Sequence, residues 1–494
     1  MAALLCGLLV VRVFYLRVGT PYGLAPDEAQ YWTWLAHDDW SFVTKPPLTT
    51  WLMGVSTAWL GDTLVGVKLF ALLGQVAVVG LGVALARALV PAPERRAVGW
   101  WAFALLATVP MVAVGGLLMS PDALLLPLWM AALLVVVRAL EVDDARALCW
   151  PRWLLLGVLV GLAGLAKYTA ALFFPLLGLL LLWQRPRWLL APQVWSAGVL
   201  ALLLQAPVLY WNMTHGWAGL HHVLWQADSG DSRHGGLGTL GDFLGGQALV
   251  LGPVVLIFMV MAWGRCLNFA ASLPPRVAAL TVFTLPIFAG FCAMTLTGKV
   301  QPNWPLLATV PALVLVAAFM PRLRRATWPR VLMAGVLLNA LLTVLMYNTH
   351  VLRGPVAQAV GISLPLKIDP TKDLMGWADM GELFGVALQR FDRPVVLSWR
   401  YQTLAQLQFH TRPRADFMYW NAEGRRAVDY DDWPWPADLA SRPVVAVSEQ
   451  PAFTPRLAEL FNECRPWHSF GAEQQGVVVR RLYTWVCWGL KGGR

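Results

Sequence analysis

Two acids and a lysine near the start of the chain have the residue types needed for acid–base chemistry beside a phosphate. The segment reads LAPDEAQYWTWLAHDDWSFVTKPPLTTWL. Pro26 suits the first position of a helix, so Asp27 and Glu28 would occupy the first turn, where the helix dipole favours carboxylates. Lys45 follows, just before two rigid prolines. A carboxylate can deprotonate a hydroxyl group, and a lysine can hold a phosphate.

The same segment also fits a capped helix that lies at the membrane surface without catalysis. Asp27 and Tyr31 share one helix face at i,i+4 spacing. Four tryptophans are typical of a helix at the level of the lipid headgroups: Trp32, Trp34, Trp40 and Trp51. The segment alone leaves both interpretations open.

Two further motifs place charged residues beside apolar runs. In MSPDALLLPLW, Ser120 suits an N-cap and Pro121 the first helical position, which puts Asp122 at the helix start. Helix starts carry such acids for structural reasons as often as for function. In GLAGLAKYTAAL, Lys167 and Tyr168 lie between two apolar runs. A lysine there either extends toward the headgroups or binds a phosphate.

Two more turns hold polar residues. The segment PVLYWNMTHGWAGLHHVLWQ contains His215, His221 and His222. Their spacing does not match a tight zinc motif, so we favour polar packing or substrate contact over metal binding. The segment TGKVQPNWP places Lys299 and Asn303 just before an apolar run.

The composition indicates that these motifs belong to a polytopic membrane protein. The 494-residue chain is 58% hydrophobic and 13% charged, whereas roughly 25% charge is usual for soluble domains. No cleavable signal sequence is evident, so we expect the first apolar segment to be a retained anchor. Apolar runs long enough to cross a bilayer predict about eleven spans, near residues 2–18, 63–86, 98–117, 122–140, 153–166, 169–183, 188–210, 246–264, 277–297, 303–320 and 328–347.

The positive charge is distributed as membrane topology requires, and it does not indicate nucleic-acid binding. Alternate short loops concentrate arginine at Arg87, Arg95, Arg96, Arg138, Arg146, Arg152, Arg185, Arg187, Arg265, Arg276, Arg322, Arg324, Arg325 and Arg330. The opposite loops hold Lys45, Lys167, Arg233 and Lys299. The positive-inside rule therefore puts the loops at Arg95 and Arg324 in the cytoplasm, and residue 230 and the C-terminus outside. Every candidate motif falls on the outer side, which is the main sequence argument for one shared function.

The C-terminal part has a different character. From residue 348 the chain becomes polar, and strand-like PVVLSW and PVVAV each precede a helical run, YQTLAQLQF and PRLAELF. We therefore predict a transmembrane domain over 1–347 and a small periplasmic α/β domain over 348–494. Cys464 and Cys487 are the two cysteines of that domain. We expect them to form a helix-to-strand disulfide in this oxidising compartment, with two buried free thiols as the alternative.

Taken together, the motifs resemble the GT-C fold glycosyltransferases that use polyprenyl-phosphate sugars. These are related to the protein O-mannosyltransferases and to the aminoarabinose and galacturonosyl transferases of lipid A, and the bacterial galacturonosyl-transferase-like branch is the most similar. The resemblance covers most of the chain and rests on PDEAQYW with KPPLTTW, SPDALLLPLW, GLAGLAKYTA, PVLYWN with His215 and Trp217, and GKVQPNWP. Three C-terminal stretches also resemble that branch: DPTKDLMGW, RYQTLAQLQF and YDDWPWP.

The resemblance implies residue roles. In that family the acid matching Asp27 is a catalytic base or essential acid, the acid matching Asp122 is also essential, and the lysine matching Lys45 contacts the lipid phosphate. Gln30 and Thr44 depart from the aminoarabinose transferases, which have a basic residue and a glutamate there. Without that glutamate, a divalent metal is compatible with the site but not required by it. The glutamine suggests a different phosphate clamp.

The sequence therefore predicts inverting transfer of a sugar from a polyprenyl-phosphate donor to lipid A, another glycan or a protein. The reaction would take place at the periplasmic face of a bacterial inner membrane. The predicted catalytic residues are Asp27, Glu28 and Asp122. The predicted substrate-binding residues are Tyr31, Lys45, Lys167, Tyr168, His215, Lys299 and Asn303. Two alternatives remain: a transporter or lipid flippase, which should show discontinuous helices or ionisable residues near the midplane, and a non-catalytic scaffold for envelope assembly.

Overall fold

The computed structural model describes residues 1–228, 235–323, 327–354, 357, 359, 361, 364–412, 415–421, 424, 426–451 and 455–491. Four positions used in the topology prediction lie outside these described residues: residue 230, Arg233, Arg324 and Arg325.

The chain forms two compact units. The helical unit comprises residues 1–13, 40–52 and 68–346, and the sheet unit comprises 14–39, 53–67 and 347–494. The C-terminal division falls one residue before the predicted domain boundary. Residues 14–39 and 53–67, however, group with the C-terminal part, whereas the sequence had assigned them to the transmembrane domain. A boundary drawn from composition follows the chain, and it cannot detect an early segment that packs with a late one.

Helices occupy most of the chain before residue 348. Their bounds are α1 Ala2–Phe14, α2 Pro26–Thr33, α3 Leu48–Leu60, α4 Leu64–Ala88, α5 Arg95–Thr108, α6 Pro110–Gly115, α7 Pro121–Ala139, α8 Asp144–Ala147, α9 Trp150–Ala166, α10 Phe173–Gln184, α11 Pro192–Leu203, α12 Ala206–Thr214, α13 Ala218–Asp228, α14 Leu237–Leu251, α15 Pro253–Asn268, α16 Pro275–Val282, α17 Leu285–Met294, α18 Leu306–Phe319 and α19 Thr327–Tyr347.

Some of these helical segments are long and apolar enough to cross a membrane. Within the described residues there are five such helices, or up to seven if each of two bent helix pairs counts as one span. Three shorter apolar helical segments add to these. The chain is thus a helical multi-pass membrane protein, while the expectation of about eleven spans stays a prediction.

Several predicted spans are interrupted at glycine or proline. The run predicted as one span over 246–264 is instead α14 and α15, bent by 108°. Gly252 lies between them with φ +82°, a left-handed conformation that favours glycine, and Pro253 begins α15. The side-chain amide of Asn339 donates to the Leu251 carbonyl at 2.8 Å. This bond satisfies a backbone acceptor that the break exposes.

Close helix packing positions the candidate residues of the helical unit. At Gly74, α4 approaches the start of α7 so closely that a Cβ atom would lie 2.2 Å from the Ala123 carbonyl oxygen. At Gly157, α9 packs against α11, where a Cβ atom would lie 2.7 Å from the Ala197 carbonyl oxygen. Small residues at membrane helix crossings allow such approach. This packing holds the start of α7 against α4 and the middle of α9 against α11.

The sheet unit contains a five-stranded mixed sheet. Its remaining elements are helices α20 Trp377–Leu388, α21 Tyr401–His410 and α22 Pro455–Leu460, and strands β1 Val395–Ser398, β2 Asp416–Tyr419, β3 Val444–Ser448, β4 Phe461–Gln474 and β5 Val477–Leu490. The strand order is β2-β1-β3-β5-β4. Strand β1 runs parallel to β2 and β3, and β5 runs antiparallel to β3 and β4. The predicted strand–helix pairs are therefore present.

Both faces of this sheet are covered, which explains why β1 and β3 are apolar up to their terminal serines. Val396 and Val445 pack on one face with Phe384 of α20. Val395 and Val444 pack on the other face with other apolar side chains. Successive side chains of a strand point to opposite faces, so a strand covered on both sides needs apolar residues at every position.

The cysteine pair lies within the sheet. Cys464 of β4 is directly opposite Cys487 of β5, and the structure joins them in a disulfide with Cα atoms 4.1 Å apart. The linkage differs from the expected helix-to-strand connection, because Cys464 belongs to strand β4 and not to the end of the preceding helix. The disulfide therefore fixes two neighbouring antiparallel strands.

Candidate active site

The predicted helix start at Pro26 is present, and it separates two neighbouring acids. Asp27 is exposed at the first turn of α2. Glu28 is buried, with 1% of its surface exposed, and its carboxylate accepts a hydrogen bond from the Ala25 backbone N–H at 2.8 Å. Glu28 thus satisfies a backbone donor at the helix start, as a capping glutamate does. Asp27 is the one that faces solvent.

The aromatic residues of α2 pack inside the sheet unit. Tyr31 is 2% exposed, and its ring lies 4.9 Å from that of Trp34. Trp32 packs edge-on against Phe409 at 5.0 Å. Trp32 and Trp34 are therefore core residues and not exposed headgroup anchors. The sequence interpretation missed this because α21, which Trp32 contacts, comes nearly 400 residues later.

Two polar contacts hold α2 against the C-terminal elements of the sheet unit. The side-chain amide of Gln406, on α21, donates to the Leu24 carbonyl at 2.8 Å. The hydroxyls of Thr33 and Tyr430 lie 2.8 Å apart. These bonds hold the N-terminal flank and the last turn of α2, and Tyr401 begins α21. Burial, and next the negative charge of Asp27, raise the pKa of the Tyr401 phenol to about 12.

Lys45 belongs to the helical unit and precedes α3. The backbone N–H of Phe42 donates to the Lys45 carbonyl at 3.3 Å, which closes the turn before the two prolines. Val43 of this turn packs with Trp211 and Ala218. The Lys45 side chain is half-buried. It lies next to a helix start, where backbone N–H groups and the helix dipole favour anions.

Three hydroxyl groups flank Lys45 along the chain, and all three are buried. They belong to Ser41, Thr49 and Thr50. Within the described part of the chain, none of these hydroxyls has a hydrogen-bond partner. Buried polar groups are usually hydrogen-bonded, so unused donors in one short segment point to a polar ligand or to bound water.

Asp122 and Lys167 form an ion pair. The Lys167 ammonium lies 2.8 Å and 2.9 Å from the two Asp122 carboxylate oxygens. The Asp122 side chain is 14% exposed and the Lys167 side chain is 22% exposed. Pro121 begins α7 as predicted, while the Ser120 hydroxyl does not cap it. An anion bound at Lys167 would share the lysine's three N–H donors with Asp122.

Tyr168 and His215 lie near a tight turn after α12. The Tyr168 hydroxyl and the Asn212 amide both face Gly219, where an added Cβ atom would lie 3.2 Å and 3.1 Å from them. His215 stacks on Trp211 with ring centroids 4.4 Å apart. The His215 Nδ1 atom lies 2.9 Å from the Trp211 carbonyl oxygen. An Nδ1–H that donates there leaves Nε2 as the acceptor.

Tyr168 is one of the residues that line an apolar cavity of about 590 Å³. Helices α9, α10 and α11 form its walls, and Leu177 and Trp195 are among the lining residues. Gln205 adds a polar group, and its amide donates to the Gly161 carbonyl at 2.8 Å. The cavity has the size of a small-ligand site. Among the described residues, Lys167 precedes Tyr168 in the chain but does not line the cavity.

The last predicted pair is more isolated. Lys299 and Asn303 are exposed in a turn that is held by a hydrogen bond from the Gln247 side chain to the Pro302 carbonyl at 2.8 Å. Their side chains make no hydrogen bond or ion pair with the other described residues.

No group of three or more histidine, cysteine, aspartate or glutamate side chains in the described ranges is arranged to hold a metal ion.

Comparison with known proteins adds to this geometry. The model of the dolichyl-phosphate-mannose-protein mannosyltransferase family matches residues 44–211. That segment contains Lys45, Asp122, Lys167 and Tyr168, while Asp27 precedes it. The lipid A galacturonosyltransferase RgtD of Rhizobium johnstonii is 26% identical over 326 residues, which is 65% of this chain and 64% of that protein. The chain thus matches slightly less than two thirds of that relative's length.

Solved structures agree over nearly the whole chain. ArnT from Cupriavidus metallidurans bound to undecaprenyl phosphate has a TM-score of 0.66 at 16% identity, covering 98% of this chain and 97% of that one. The chain has a GT-C fold and is related to these glycosyltransferases. The oligosaccharyltransferase of Archaeoglobus fulgidus has a less similar fold, with a TM-score of 0.50 at 14% identity over 89% of this chain and 67% of that one. The predicted resemblance is thus confirmed, as is a helical fold with a small C-terminal sheet.

Sequence reasoning missed Tyr401 and Asn212 as site residues. A signal for Tyr401 was present, because it follows the end of predicted strand PVVLSW, and parallel strands of α/β domains commonly place ligand-binding residues there. Asn212 lies within the quoted motif PVLYWN, but only its contacts reveal that it faces Tyr168. The structure groups Asp27, Glu28 and Tyr31 on α2. It separately pairs Asp122 with Lys167 and places Tyr168 beside Asn212.

Proposed function

We propose that this chain is a membrane glycosyltransferase that moves a sugar from a polyprenyl-phosphate donor to an envelope glycolipid such as lipid A. The observation that carries the proposal is the apolar cavity between α9, α10 and α11, which Tyr168 helps to line. A polyprenyl-phosphate sugar combines a long apolar chain with a charged group. The cavity would take the apolar chain, and the lysines of the site would bind the charged group. The GT-C fold and the relatives named above support the same donor class.

In the proposed reaction Asp27 is the general base. Its carboxylate takes the proton of the acceptor hydroxyl while that oxygen attacks the anomeric carbon of the sugar. The bond from that carbon to the phosphate oxygen breaks, and polyprenyl phosphate leaves with the negative charge. Attack from the side opposite the phosphate inverts the anomeric configuration. Asp27 suits this role because it is exposed, while Glu28 is buried at the helix cap.

Lys45 is the proposed ligand of the departing phosphate. Its side chain precedes the start of α3, where the first backbone N–H groups have no partner within the helix. The buried hydroxyls of Ser41, Thr49 and Thr50 could supply further donors. Preorganised donors at the position where charge develops are a major source of rate enhancement. Asp122 and Lys167, as an ion pair, would orient the sugar–phosphate.

The remaining predicted residues are proposed as secondary contacts. His215 and Tyr168 lie near the same turn and could hold sugar hydroxyls. Lys299 and Asn303 are exposed and could contact the acceptor. Tyr31 is packed against Trp34, so its contribution would be to hold α2 in place. We also propose that the site faces the periplasm of a bacterial inner membrane, because the arginine-rich loops then lie in the cytoplasm.

A transporter or lipid flippase is the main alternative, and one feature deserves comparison with it. The chain has two bent helix pairs, α11–α12 and α14–α15, and broken helices are a feature of transporters. Transporter breaks usually bring polar or ionisable groups to the substrate. Here the breaks are at Leu204–Gln205 and at Gly252, and neither carries an acid or a base.

The proposal is tested by mass spectrometry of lipid A and envelope glycans from a wild-type strain and a deletion strain. We expect the deletion strain to lack one sugar on one glycolipid, and purified protein with a polyprenyl-phosphate sugar to restore it. Identical glycan profiles, together with no transfer by the purified protein, would exclude the proposed activity. Movement of a labelled lipid across proteoliposomes without sugar transfer would favour the flippase.

A further inference from the structure

Another cavity of the helical unit lies between the last turns of two apolar helices. Its volume is about 330 Å³, and its walls come from α15, from α18 and from the residues that directly follow each helix. Most lining side chains are apolar, and Phe258, Met261 and Val316 are among them. Arg265 and Asn268 are the polar side chains in the lining. A cavity of this volume holds a small ligand or part of a larger one.

This cavity lies at the level expected for lipid headgroups. Helices α14 and α15 together are long and apolar enough to cross a membrane, and the segment Leu306–Arg322, which includes α18, is also apolar. Both helices end at the cavity, α15 at Asn268 and α18 at Phe319. Apolar membrane helices end where the hydrocarbon core meets the headgroups. Arg265 and Arg322 belong to the loops that the positive-inside rule puts in the cytoplasm, and in that orientation the cavity lies in the inner leaflet.

Two guanidinium groups at this end of the helices form no ion pair within the described part of the chain. Arg265 is exposed and lies over the Phe269 ring, with its Cζ atom 6.0 Å from the ring centroid. Arg322 is half-buried and lies over the Phe319 ring, with its Cζ atom at 5.8 Å. Both rings line the cavity. An aromatic face orients a cation without neutralising it, so both positive charges can still attract an anion.

We propose that this cavity binds an anionic phospholipid, whose phosphate contacts Arg265 and whose acyl chain enters the apolar part of the cavity. Basic pockets between membrane helices on the cytoplasmic side bind anionic headgroups in this way. The inference does not depend on the proposed sugar transfer, because this cavity shares no lining residue with the one that Tyr168 lines.

The ends of α15 and α18 would by themselves disfavour an anion, because the last carbonyl groups of a helix carry a partial negative charge. Arg265 lies in the last turn of α15, and Arg322 ends the short 3₁₀ helix that follows α18. Each arginine places a full positive charge against that partial negative charge. Binding of a phosphate therefore depends on the arginines, and Arg265, which lines the cavity, is the one to test.

The lining favours an anionic phospholipid over a free anion or a zwitterionic lipid. A free phosphate would contact the polar groups and leave the apolar walls unfilled, whereas an acyl chain covers them. Any phospholipid could supply the chain, but phosphatidylcholine carries a positive group that offsets its phosphate. Phosphatidylglycerol has no such group, so the arginine should select it.

Gly264 offers a way to fill the cavity without disturbing the fold. It lines the cavity, and a Cβ atom added there meets no atom within 4 Å. Gly264→Leu therefore puts a side chain into the space proposed for the acyl chain. Gly290 of α17 is the matched control, because a Cβ atom added there also meets no atom within 4 Å and Gly290 does not line this cavity.

The experiment is native mass spectrometry of the purified full-length protein in micelles that contain phosphatidylglycerol or phosphatidylcholine. We expect the wild-type protein to bind phosphatidylglycerol more tightly. Arg265→Gln should reduce this preference about five- to tenfold, the effect of one arginine near an anionic lipid. Arg265→Lys should retain most of it. Arg187→Gln, which changes an exposed arginine that does not line the cavity, should leave the preference unchanged.

The glycine variants test the place of the acyl chain. Gly264→Leu should weaken phosphatidylglycerol binding roughly tenfold, the value of about two buried methylene groups, while Gly290→Leu should bind as the wild type does. Unfolding temperatures in lipid-free detergent show that each variant is folded. Equal affinity of the wild-type protein for the two lipids would refute the inference, as would an unchanged preference in Arg265→Gln. Unchanged binding in Gly264→Leu would show that the lipid lies outside the cavity, and it too would overturn the proposal.

Discussion

Two aspartates in this protein occupy the same local position but have different partners. Asp27 and Asp122 each follow a proline that begins a helix, in PDEAQYW and PDALLLP. In the helical unit, both oxygens of Asp122 contact the Lys167 ammonium. In the sheet unit, Asp27 is exposed and lies close enough to the Tyr401 phenol to raise its pKa. The local sequence explains why an acid is tolerated at each place, and the tertiary partner determines what that acid can do.

The difference bears on which of the two acids we propose as the base. The Asp122 side chain is 14% exposed and both of its oxygens contact the Lys167 ammonium, so we assign it an orienting role. Asp27 is exposed at its helix start, where an acceptor hydroxyl can reach it, so we propose it as the base.

The largest expected effect comes from removing the proposed base. Asp27→Asn should lower kcat by roughly 10²–10⁴-fold, because a general base contributes about that much, while folding and membrane insertion are unchanged. Turnover by the purified variant is the measurement, with the unfolding temperature as the control. More than a tenth of wild-type turnover would show that the comparison assigns the base to the wrong acid.

The second test lowers the stability of the sheet unit, which carries Asp27. Replacing Cys464 and Cys487 with serine removes a disulfide between residues 23 apart in sequence. We expect this to lower the stability of the sheet unit by about 3 kcal/mol in the chain-entropy model. Non-reducing peptide mapping of protein from native membranes should find the pair linked. Free thiols at both positions would show that Cys464 and Cys487 are not linked in the native protein.

The third test concerns Lys45, which, like Lys167, is a lysine near the proposed phosphate. Lys45→Ala should lower kcat/KM for the donor by roughly ten- to a hundredfold, the value of a hydrogen bond to a charged group. Arginine should restore only part of this, because its planar fork is not equivalent to a compact ammonium. Unchanged kinetics with the donor would mean that Lys45 only anchors its turn.

The smallest effect is expected at the ion pair. Asp122→Asn and Lys167→Met should each cost about 1–2 kcal/mol of unfolding free energy, since each leaves a partly buried charge without its partner. The double variant should cost less than the sum of the two. Thermal unfolding of all four proteins in one detergent gives the coupling energy. Additive costs would show that the contact contributes nothing to stability.

Much of the local structure could be predicted from the sequence because it depends on neighbouring residues. Proline at the first helical position fixed the starts of α2 and α7. Alternating strand-like and helical runs marked β1 with α21 and β3 with α22. Helix α3 is not among the predicted spans, since its 13 residues are too few to cross a bilayer.

The partners of these elements could not be predicted. Asp122 and Lys167 are 45 residues apart, and Thr33 and Tyr430 are 397 residues apart. Hydrophobic periodicity describes which face of a helix is buried, but not which distant element covers it. Gly252–Pro253 was a visible break signal, yet its apolar neighbours suggested one continuous span. The roles of individual acids therefore became clear only from their contacts.

The two neighbouring acids of α2, Asp27 and Glu28, have different roles, and a mutational scan would distinguish a role in activity from a role in folding. Glu28 completes the helix cap, so its substitutions should reduce the amount of folded protein in the membrane. Asp27 faces outward, so its substitutions should leave abundance intact and remove activity. Selection would preserve both positions, and an alignment alone would give them equal weight. Reading abundance and turnover in parallel would distinguish an acid kept for folding from one kept for chemistry.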